Sequence, residues 1–417
     1  MKKSISAIIL SAVVLSVLSL SACGDDQNSE ASVQADESSA PSVASVASEV
    51  QESSQEQSQK SQAPRSPISS SQIAQMKSYI SSYQKMPEFN SKADAIDARS
   101  IAQNKTVTLI CDNLNLTYTK LVVEQFKVAA EAVKFAKIVV AKTDGTEDSI
   151  NKALNTAVND KSDIVILFGN INKDKFSTNI EYAQANGIEV VSAGCITSGQ
   201  NDHFADYTMP VDYDVIGRTL ADWAITKTDG KLEALAINCT DSVQSNTVAN
   251  GFKNEFDRYI ADVTGHCHGI NISSSELDKE LPDSIEKALK ENKNINYIIV
   301  FDESMISDTV DTLEQLAIKL PVISTGGSDE AFTAAQRGSL EMLVAQSYEW
   351  TAYGMVDYSL RILGNADIPK EQYVPFRVLT SDIINDEIAN FGGISGNFNR
   401  IAFGSYFEYG YDYLWQL

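Results

Sequence analysis

Histidines and recognisable catalytic signatures are scarce in this sequence of 417 residues. It contains three histidines, and no G-x-S-x-G, P-loop or G-x-G-x-x-G pattern occurs. General bases are therefore few, and neither a hydrolase nucleophile turn nor a phosphate-binding loop is available. Carboxylate pairs such as Asp302-Glu303 could serve as acid and base, but an acidic chain produces such pairs by coincidence. These absences predict a protein that is not an enzyme.

Positive charge is also scarce. The chain has 33 Lys and Arg against 56 Asp and Glu, which gives a formal net charge of −23. Nucleic-acid phosphates would repel such a surface, so no nucleic-acid partner is expected. The length exceeds that of one small domain and predicts two or three folded units.

Cysteines are few, and none has the spacing of a zinc-ligand pair. Apart from Cys23, they are Cys111, Cys195, Cys239 and Cys267. Free or partly buried thiols are favoured, and the alternative of disulfides leaves three pairings open. His266 and His268 would share one face of a strand, but a third ligand is not evident, so neither a metal nor a cofactor is expected.

No apolar run is long enough to span a membrane. Residues 8–20 are apolar but interrupted by serines, and they follow two lysines and precede Leu-Ser-Ala-Cys at 20–23. This arrangement is typical of a secretory signal, and its end looks like a bacterial lipoprotein cleavage motif. Residues 1–22 are predicted to be removed and Cys23 to carry the lipid. A plain signal peptide with an incidental cysteine is the alternative.

The stretch after Cys23 has almost no large apolar residue. Up to about residue 70 it consists mainly of Ser, Gln, Glu and Ala, which cannot bury enough surface to fold. Residues 23–70 are therefore predicted to be a disordered tether that holds the folded part away from a membrane. Residues 71–104, with a short helical pattern, are predicted to be a leader that packs on the first lobe.

Two series of alternating strands and helices follow. Apolar runs without alternation, such as 106–111 and 163–168, predict strands buried on both faces, with amphipathic helices between them. The strict alternation implies parallel sheets with right-handed crossovers. The stretch 207–217 separates the two series and is interpreted as a crossing between two lobes. An ordinary loop within one large sheet is the alternative.

Polar residues follow the predicted strands. Ligands of open parallel sheets bind beyond the carboxyl ends of the strands. Here those ends carry amides, carboxylates, hydroxyls and glycines, which suit a neutral polar ligand. The competing interpretation is that these residues cap the helices that follow.

The chain resembles the type I periplasmic solute-binding proteins of the ribose and galactose kind. The patches that carry the resemblance are residues 107–110, Asn115 to Tyr118, 188–193, Val211-Asp212 with Gly217, 249–252, 301–305, 326–328 and Ala345-Gln346. The resemblance implies an α/β fold of two similar doubly wound parallel-sheet lobes joined by three hinge crossings. Lobe 1 would hold 105–209 and about 348–375, and lobe 2 would hold 210–347 and about 376–417.

A set of ligand-binding residues follows from the strand ends and from the resemblance together. By resemblance Tyr118 would stack on a sugar-like ring, and Asn246, Asp302 and Gln346 would come from the second lobe and its hinge. The predicted set is Asn113, Asn115, Tyr118, Phe168, Gly194, Cys195, Gln244, Asn246, Asp302, Glu303, Gly327, Gln346 and Trp350.

The chain also departs from the ribose-type pattern. Gly194-Cys195 stands where those proteins place an Asp-Arg pair, Asn246 stands for an arginine, and Gly326 stands for an aspartate. Charged bidentate clamps on sugar hydroxyls are therefore missing, which argues against ribose.

The resemblance implies a monomeric, lipid-anchored binding protein on the outer face of a bacterial cell membrane. It would deliver a sugar or related polar solute to an ABC permease through hinge closure. A sensor that presents its ligand to a receptor kinase is the second hypothesis, and a glycosidase-like enzyme is the third.

Overall fold

The computed structural model describes residues 67–417, except 170, 172–174, 195–204, 210, 261–264, 369–373 and 391–396. The predicted signal peptide, Cys23, most of the tether and Cys195 lie outside the described residues.

The described chain alternates helices and strands as the sequence predicts. The first half contains α1 (Ser70–Tyr83), α2 (Ala98–Ala102), β1 (Thr106–Cys111), α3 (Thr117–Ala132), β2 (Lys137–Val140), α4 (Glu147–Asn159), β3 (Ile164–Phe168), α5 (Ser177–Ala185), β4 (Glu189–Ala193) and β5 (Tyr207–Met209). The second half contains α6 (Tyr213–Lys227), β6 (Ala234–Cys239), α7 (Val243–Tyr259), β7 (Cys267–Ile272), α8 (Leu277–Glu291), β8 (Tyr297–Val300), a 3-10 turn (Glu303–Met305), α9 (Ile306–Gln315), β9 (Val322–Gly326), α10 (Asp329–Arg337), β10 (Met342–Gln346), α11 (Tyr348–Leu363), β11 (Phe376–Leu379), α12 (Ser381–Asn390), α13 (Phe398–Phe403) and α14 (Tyr406–Leu414).

These strands form two sheets. The first has the order β2-β1-β3-β4-β5 and the second β11-β10-β9-β8-β6-β7. The pairs of the first sheet are all parallel, and in the second only β11 runs antiparallel to its neighbour. Each sheet has buried apolar side chains on both faces, with helices over each face. The predicted pair of doubly wound lobes is confirmed.

Strand β7 differs from its prediction. The sequence places a strand near 263–268, whereas β7 begins at Cys267 and ends at Ile272. It is the edge strand of its sheet, and only Ile270 and Ile272 are buried along it. An edge strand with one buried face has few apolar residues, so its position is weakly marked in the sequence.

Helix α1 packs on the second lobe, which differs from the prediction that the whole leader packs on the first. Ser69 and Gln72 form a capping box at its start. Its buried residues Met76 and Ile80 lie in the core formed by α6, α7 and one face of the second sheet. The rest of the leader, including Ile96 and α2, packs in the first lobe.

Helix α14 also lies on the lobe opposite to the one predicted. Residues 376–417 were assigned to the second lobe, and β11 and α13 do lie there. Phe407, Tyr411 and Trp415, however, are buried in the core of the first lobe. Besides the three predicted crossings near 210–212, 346–348 and 374–376, the chain therefore crosses before α2 and again between α13 and α14.

A buried ion pair holds α14 and α11 together. The Arg361 guanidinium donates to Asp357 Oδ2 at 2.8 Å, and the Trp415 indole donates to Asp357 Oδ1 at 2.9 Å. Arg361 also donates to the backbone carbonyl of Asp94 at 3.0 Å. The leader, α11 and the last helix of the first lobe are thus joined through one pair of buried charges.

Helices α6 and α7 approach each other closely. A Cβ at Gly217 would lie 1.9 Å from the Val248 carbonyl oxygen, so only glycine permits this separation. Between the helices lie Asp222, which is completely buried, and Glu255, which is 3% exposed. Burial and the neighbouring Glu255 raise the pKa of Asp222 to about 7, against the opposing effects of Arg218 and Arg258.

This carboxyl pair predicts a pH-dependent stability. Between the ordinary pKa of 3.8 and about 7, the unfolded chain ionises Asp222 while the folded chain keeps its proton. The free energy of unfolding therefore falls across this range, by about 1.4 kcal/mol for each unit of pKa shift. Asp222→Asn keeps the protonated shape, so its melting temperature should rise relative to wild type as the pH increases from 5 to 8. Asp257→Asn, on the exposed side of α7, is the control, and parallel wild-type and Asp222→Asn curves would contradict the prediction.

Candidate functional site

A cavity lies between the two lobes. It is lined by Tyr118, Phe168, Val211, Tyr213, Ile216, Gln244, Gln346, Tyr348, Thr351, Val374, Pro375 and Phe376. The space open to the centre of a water molecule is about 20 Å³, which suits one water. The lobes are therefore close together, and a larger solute can enter only if they separate.

The wall from the first lobe is built where β1 leads into α3. Tyr118, in the first turn of α3, donates its hydroxyl hydrogen to Asp112 Oδ2 at the end of β1. Asp112 is 5% exposed and also accepts from the Thr119 hydroxyl at 3.4 Å. Burial, and then the charge of Asp112, raises the pKa of Tyr118 far above its usual value. Tyr118 therefore stays neutral, and its hydroxyl continues to donate a hydrogen bond to the Asp112 carboxylate.

Behind the opposite side of the cavity lies the carboxylate of Glu303. Its Oε2 accepts from the backbone N–H groups of Gly327 and Ser328, both at 2.9 Å. Its Oε1 accepts from the Tyr348 hydroxyl at 2.8 Å. Burial raises the pKa of Glu303, and these hydrogen bonds oppose the shift. Because Tyr348 begins α11 and belongs to the core of the first lobe, this contact joins the two lobes beside a crossing.

The crossing between β10 and α11 supplies the floor of the cavity. Gln346 is 7% exposed and donates through Nε2 to Thr325 Oγ1 at 3.1 Å. The rings of Tyr118 and Tyr348 lie 6.1 Å apart, which is the distance of an aromatic contact. Both rings belong to the first lobe, so they form one aromatic wall next to the hinge.

At Gly194, where ribose-type proteins have a charged residue, neighbouring aromatic side chains fill the space. It adopts a φ of +64°, and a Cβ there would lie 3.3 Å from the Phe168 ring and 3.5 Å from the Tyr213 hydroxyl. A side chain at this position would displace two residues that line the cavity. Tyr213, from the second lobe, occupies the room that the glycine leaves.

Comparison with protein-family models identifies the chain. The model of the periplasmic binding protein domain matches residues 107–367, more than half of the 417 residues. The chain belongs to the periplasmic binding protein family. The predicted resemblance and the type I fold are thereby confirmed.

Solved structures of low identity share this fold. A glucose-galactose binding protein from Geobacillus stearothermophilus is 16% identical with a TM-score of 0.58, over 67% of this chain and 98% of its own. A solute-binding protein of an ABC transporter from Agrobacterium vitis, with bound D-fucose, is 19% identical with a TM-score of 0.58, over 68% and 98%. A protein described as a LacI transcriptional regulator from Bacteroides fragilis is 14% identical with a TM-score of 0.60, over 68% and 99%. No curated protein sequence matches the chain.

The predicted ligand residues of this periplasmic binding protein fall into three groups. Tyr118, Phe168, Gln244 and Gln346 line the cavity. Gly194, Glu303 and Gly327 contact residues that line it. The residues that do not line it are Asn113, Asn115, Asn246, Asp302 and Trp350.

Most residues of the last group stabilise local structure. Asn246 donates to the carbonyls of Thr240 and Ser242 at 2.9 and 2.8 Å, which holds the loop before α7. Asp302 accepts from Ser304 and Ser242 and caps the 3-10 turn. Asn113 Oδ1 accepts from the backbone N–H of Asn115, whose own side chain is exposed. Of these three, only Asp302 caps the helical turn that follows it, while Asn113 and Asn246 stabilise the loops before α3 and α7.

Trp350 is a core residue. It is 4% exposed, and its ring stacks on Phe407 of α14 at 4.8 Å. Because α14 packs on the first lobe, the side chain of Trp350 is covered by aromatic residues away from the cavity. Its neighbour Tyr348 lines the cavity instead.

The predicted set of ligand-binding residues leaves out the cavity residues that belong to the crossings. Tyr213 and Ile216 follow the first crossing, Tyr348 and Thr351 follow the second, and Val374 to Phe376 form the third. The signal that could have found them is the crossings themselves, because a segment that connects two lobes passes beside the cleft between them.

The described residues contain neither a metal cluster nor a membrane-spanning helix. No group of three or more His, Cys, Asp or Glu among them could hold a metal ion. His266 and His268 both approach Glu233, at 3.2 and 3.9 Å. No described helix is long and apolar enough to cross a membrane. Cys111 and Cys239 are buried and Cys267 is exposed, and these three do not pair with one another.

Proposed function

We propose that this protein captures a sugar or a related polar solute in the cleft between its lobes and delivers it to an ABC permease. The observation that carries the proposal is that the walls of one cavity come from the first lobe, the second lobe and three crossings. A ligand that contacts all of them favours the form in which the lobes are together. The protein acts as a monomer and performs no catalysis.

The ligands of similar solved structures support the sugar-like class. They include glucose-galactose, D-fucose, D-allose and myo-inositol. The lining of this cavity suits such solutes, since aromatic rings pack on ring faces and amides and hydroxyls bind their polar groups. The predicted lipid on Cys23 and the spacer to residue 70 complete the proposal, because a tethered protein stays near its permease.

The test measures binding and closure together. Isothermal titration calorimetry with sugars, inositols and amino sugars is expected to find a ligand, and small-angle scattering is expected to show a smaller radius of gyration with that ligand bound. If no solute of this panel binds, the proposal is wrong.

Tyr118→Ala is expected to lower the affinity for the solute found by calorimetry, by about tenfold or more. The change removes an aromatic wall of the cavity and a hydroxyl donor to the buried Asp112 carboxylate. Tyr182→Ala is the matched control, because Tyr182 lies on α5 of the same lobe and is 53% exposed. Equal calorimetric affinities of Tyr118→Ala and wild type would remove Tyr118 from the site.

A further inference from the structure

Two hydroxyl groups of the cavity can only accept hydrogen bonds from a ligand. Tyr118 and Tyr348 line the cavity, and each donates its hydrogen to a carboxylate, Asp112 and Glu303 respectively. A phenol has a single hydrogen, so each oxygen retains only acceptor capacity. A ligand that bonds to these two hydroxyl oxygens must therefore supply the hydrogen.

Gln346 adds a third acceptor. The Thr325 hydroxyl donates to the Val344 carbonyl at 2.8 Å, so its oxygen must accept from Gln346. This fixes the amide with Nε2 towards Thr325 and leaves Oε1 without a hydrogen-bond partner in the described part of the chain. The amide oxygen of a residue that lines the cavity is thus available to a donor.

The described residues in and behind the cavity wall supply negative rather than positive charge. None of its twelve described lining residues is a lysine or an arginine. Glu303 lies one hydrogen bond behind the wall, and the charge of Asp302, a second carboxylate, also raises its pKa. The N–H and O–H donors around Glu303 stabilise its charge only in part, since burial still raises its pKa.

The aromatic residues favour the same sign of ligand charge. Tyr118, Phe168, Tyr213 and Tyr348 line the cavity, and the rings of Phe168 and Tyr348 each lie 6.1 Å from that of Tyr118. The face of an aromatic ring attracts a cation, and several rings together bind organic ammonium groups. The residues that line this small cavity therefore offer acceptor oxygens and aromatic rings, and two carboxylates lie behind them.

We propose that the solute carries a protonated amine among its hydroxyl groups, as an amino sugar does. This inference rests on the proposed function and narrows its ligand class. An ammonium group has three donors and no acceptor, which matches the three acceptor oxygens. Its charge would also compensate Glu303, which a neutral solute leaves without a cation.

A neutral sugar fits this wall less well. Each of its hydroxyls both donates and accepts, so a hydroxyl that contacts Tyr118, Gln346 and Tyr348 loses the hydrogen bonds that it accepts from water. Buried polar groups left without partners cost free energy. The sugar would retain the ring contacts, so it is expected to bind, but more weakly than its amine.

Matched pairs of solutes test the inference. Glucosamine differs from glucose only in an amine that replaces one hydroxyl, and galactosamine differs from galactose in the same way. N-acetylglucosamine is glucosamine with its amine made neutral. In calorimetry near neutral pH and at low salt, at least one amine is expected to bind about tenfold or more tightly than its hydroxyl counterpart and its N-acetyl form. The preference should shrink as salt is added, because salt screens charge.

Glu303→Gln tests the assigned source of the preference. The amide oxygen can still accept from the N–H groups of Gly327 and Ser328, but the negative charge is gone. The variant is expected to lose most of the tenfold preference, because the charge is gone and the new amide NH2 donates to the Tyr348 oxygen, which then offers the ligand less acceptor capacity. Asp302→Asn is the matched control, because it removes an equal charge from a carboxylate that bonds Ser242 and Ser304 rather than Tyr348. Thermal unfolding of both variants checks that they fold.

The outcomes separate the two proposals. If neutral sugars bind as tightly as their amines, the amine inference is wrong and the solute-binding function stands. An unchanged amine preference in Glu303→Gln also contradicts the inference. If neither the sugars nor the amines bind, both proposals fail.

Discussion

Replacing Asp357 by alanine is expected to lower the free energy of unfolding by roughly 3–5 kcal/mol. Asp357 and Arg361 are 1% and 0% exposed, and the carboxylate accepts from both the Arg361 guanidinium and the Trp415 indole. Without it, a buried positive charge loses its partner and an indole N–H loses its acceptor. The cost of removing one member of a buried pair is large for this reason.

Urea unfolding followed by circular dichroism measures this loss. Asp160→Ala is the control, because its ion pair with Lys137 at 2.7 Å lies on the surface of the same lobe, with side chains 39% and 50% exposed. Such exposed pairs contribute about 0–1 kcal/mol. A loss in Asp357→Ala no larger than in the control would show that the pair does not hold α11 and α14 together.

Gly327→Ala is expected to abolish measurable ligand binding, a loss of at least about a hundredfold, or about 2.7 kcal/mol. A Cβ at Gly327 would lie 2.4 Å from the Gln346 carbonyl oxygen and 2.8 Å from the Tyr348 ring. The turn before α10 and the crossing must then move apart, which displaces Gln346 and Tyr348 relative to the turn and breaks the bonds to Glu303.

The appropriate control for this change is another glycine-to-alanine replacement in the same lobe. At Gly269, in β7, the nearest atom to a new Cβ is 3.7 Å away, so alanine fits there. Calorimetry should detect no ligand with Gly327→Ala and near wild-type affinity with Gly269→Ala. Wild-type affinity in Gly327→Ala would mean that the crossing tolerates displacement.

The lobes and their strand order follow from features that are strong in the sequence. Strand β3 is apolar along its whole length and β1 is buried from its second residue onwards, because helices cover both faces of the sheet. The terminal segments carry no comparable mark. The buried residues of α1 and α14 show that each helix packs on something, but a one-face pattern does not specify which lobe supplies the partner surface.

The candidate site, like the fold, was predictable only in part. Strand ends and family resemblance point to Tyr118, Phe168 and Gln346, and these three line the cavity because their positions follow from the topology of a parallel sheet. Asn246 and Trp350 were misplaced because an amide or an aromatic ring beside a cleft can turn either to the ligand or to its own loop and core. That choice depends on neighbours distant in sequence, such as Phe407 for Trp350.

The positions of the tryptophans determine what the intrinsic fluorescence of the protein reports. The three tryptophans of the sequence are Trp223, Trp350 and Trp415, and each is buried in the core of one lobe, away from the cavity. The cavity itself has tyrosines from both lobes. Tryptophan emission therefore follows the integrity of the lobes, while the optical signal of an occupied cleft arises from its tyrosines.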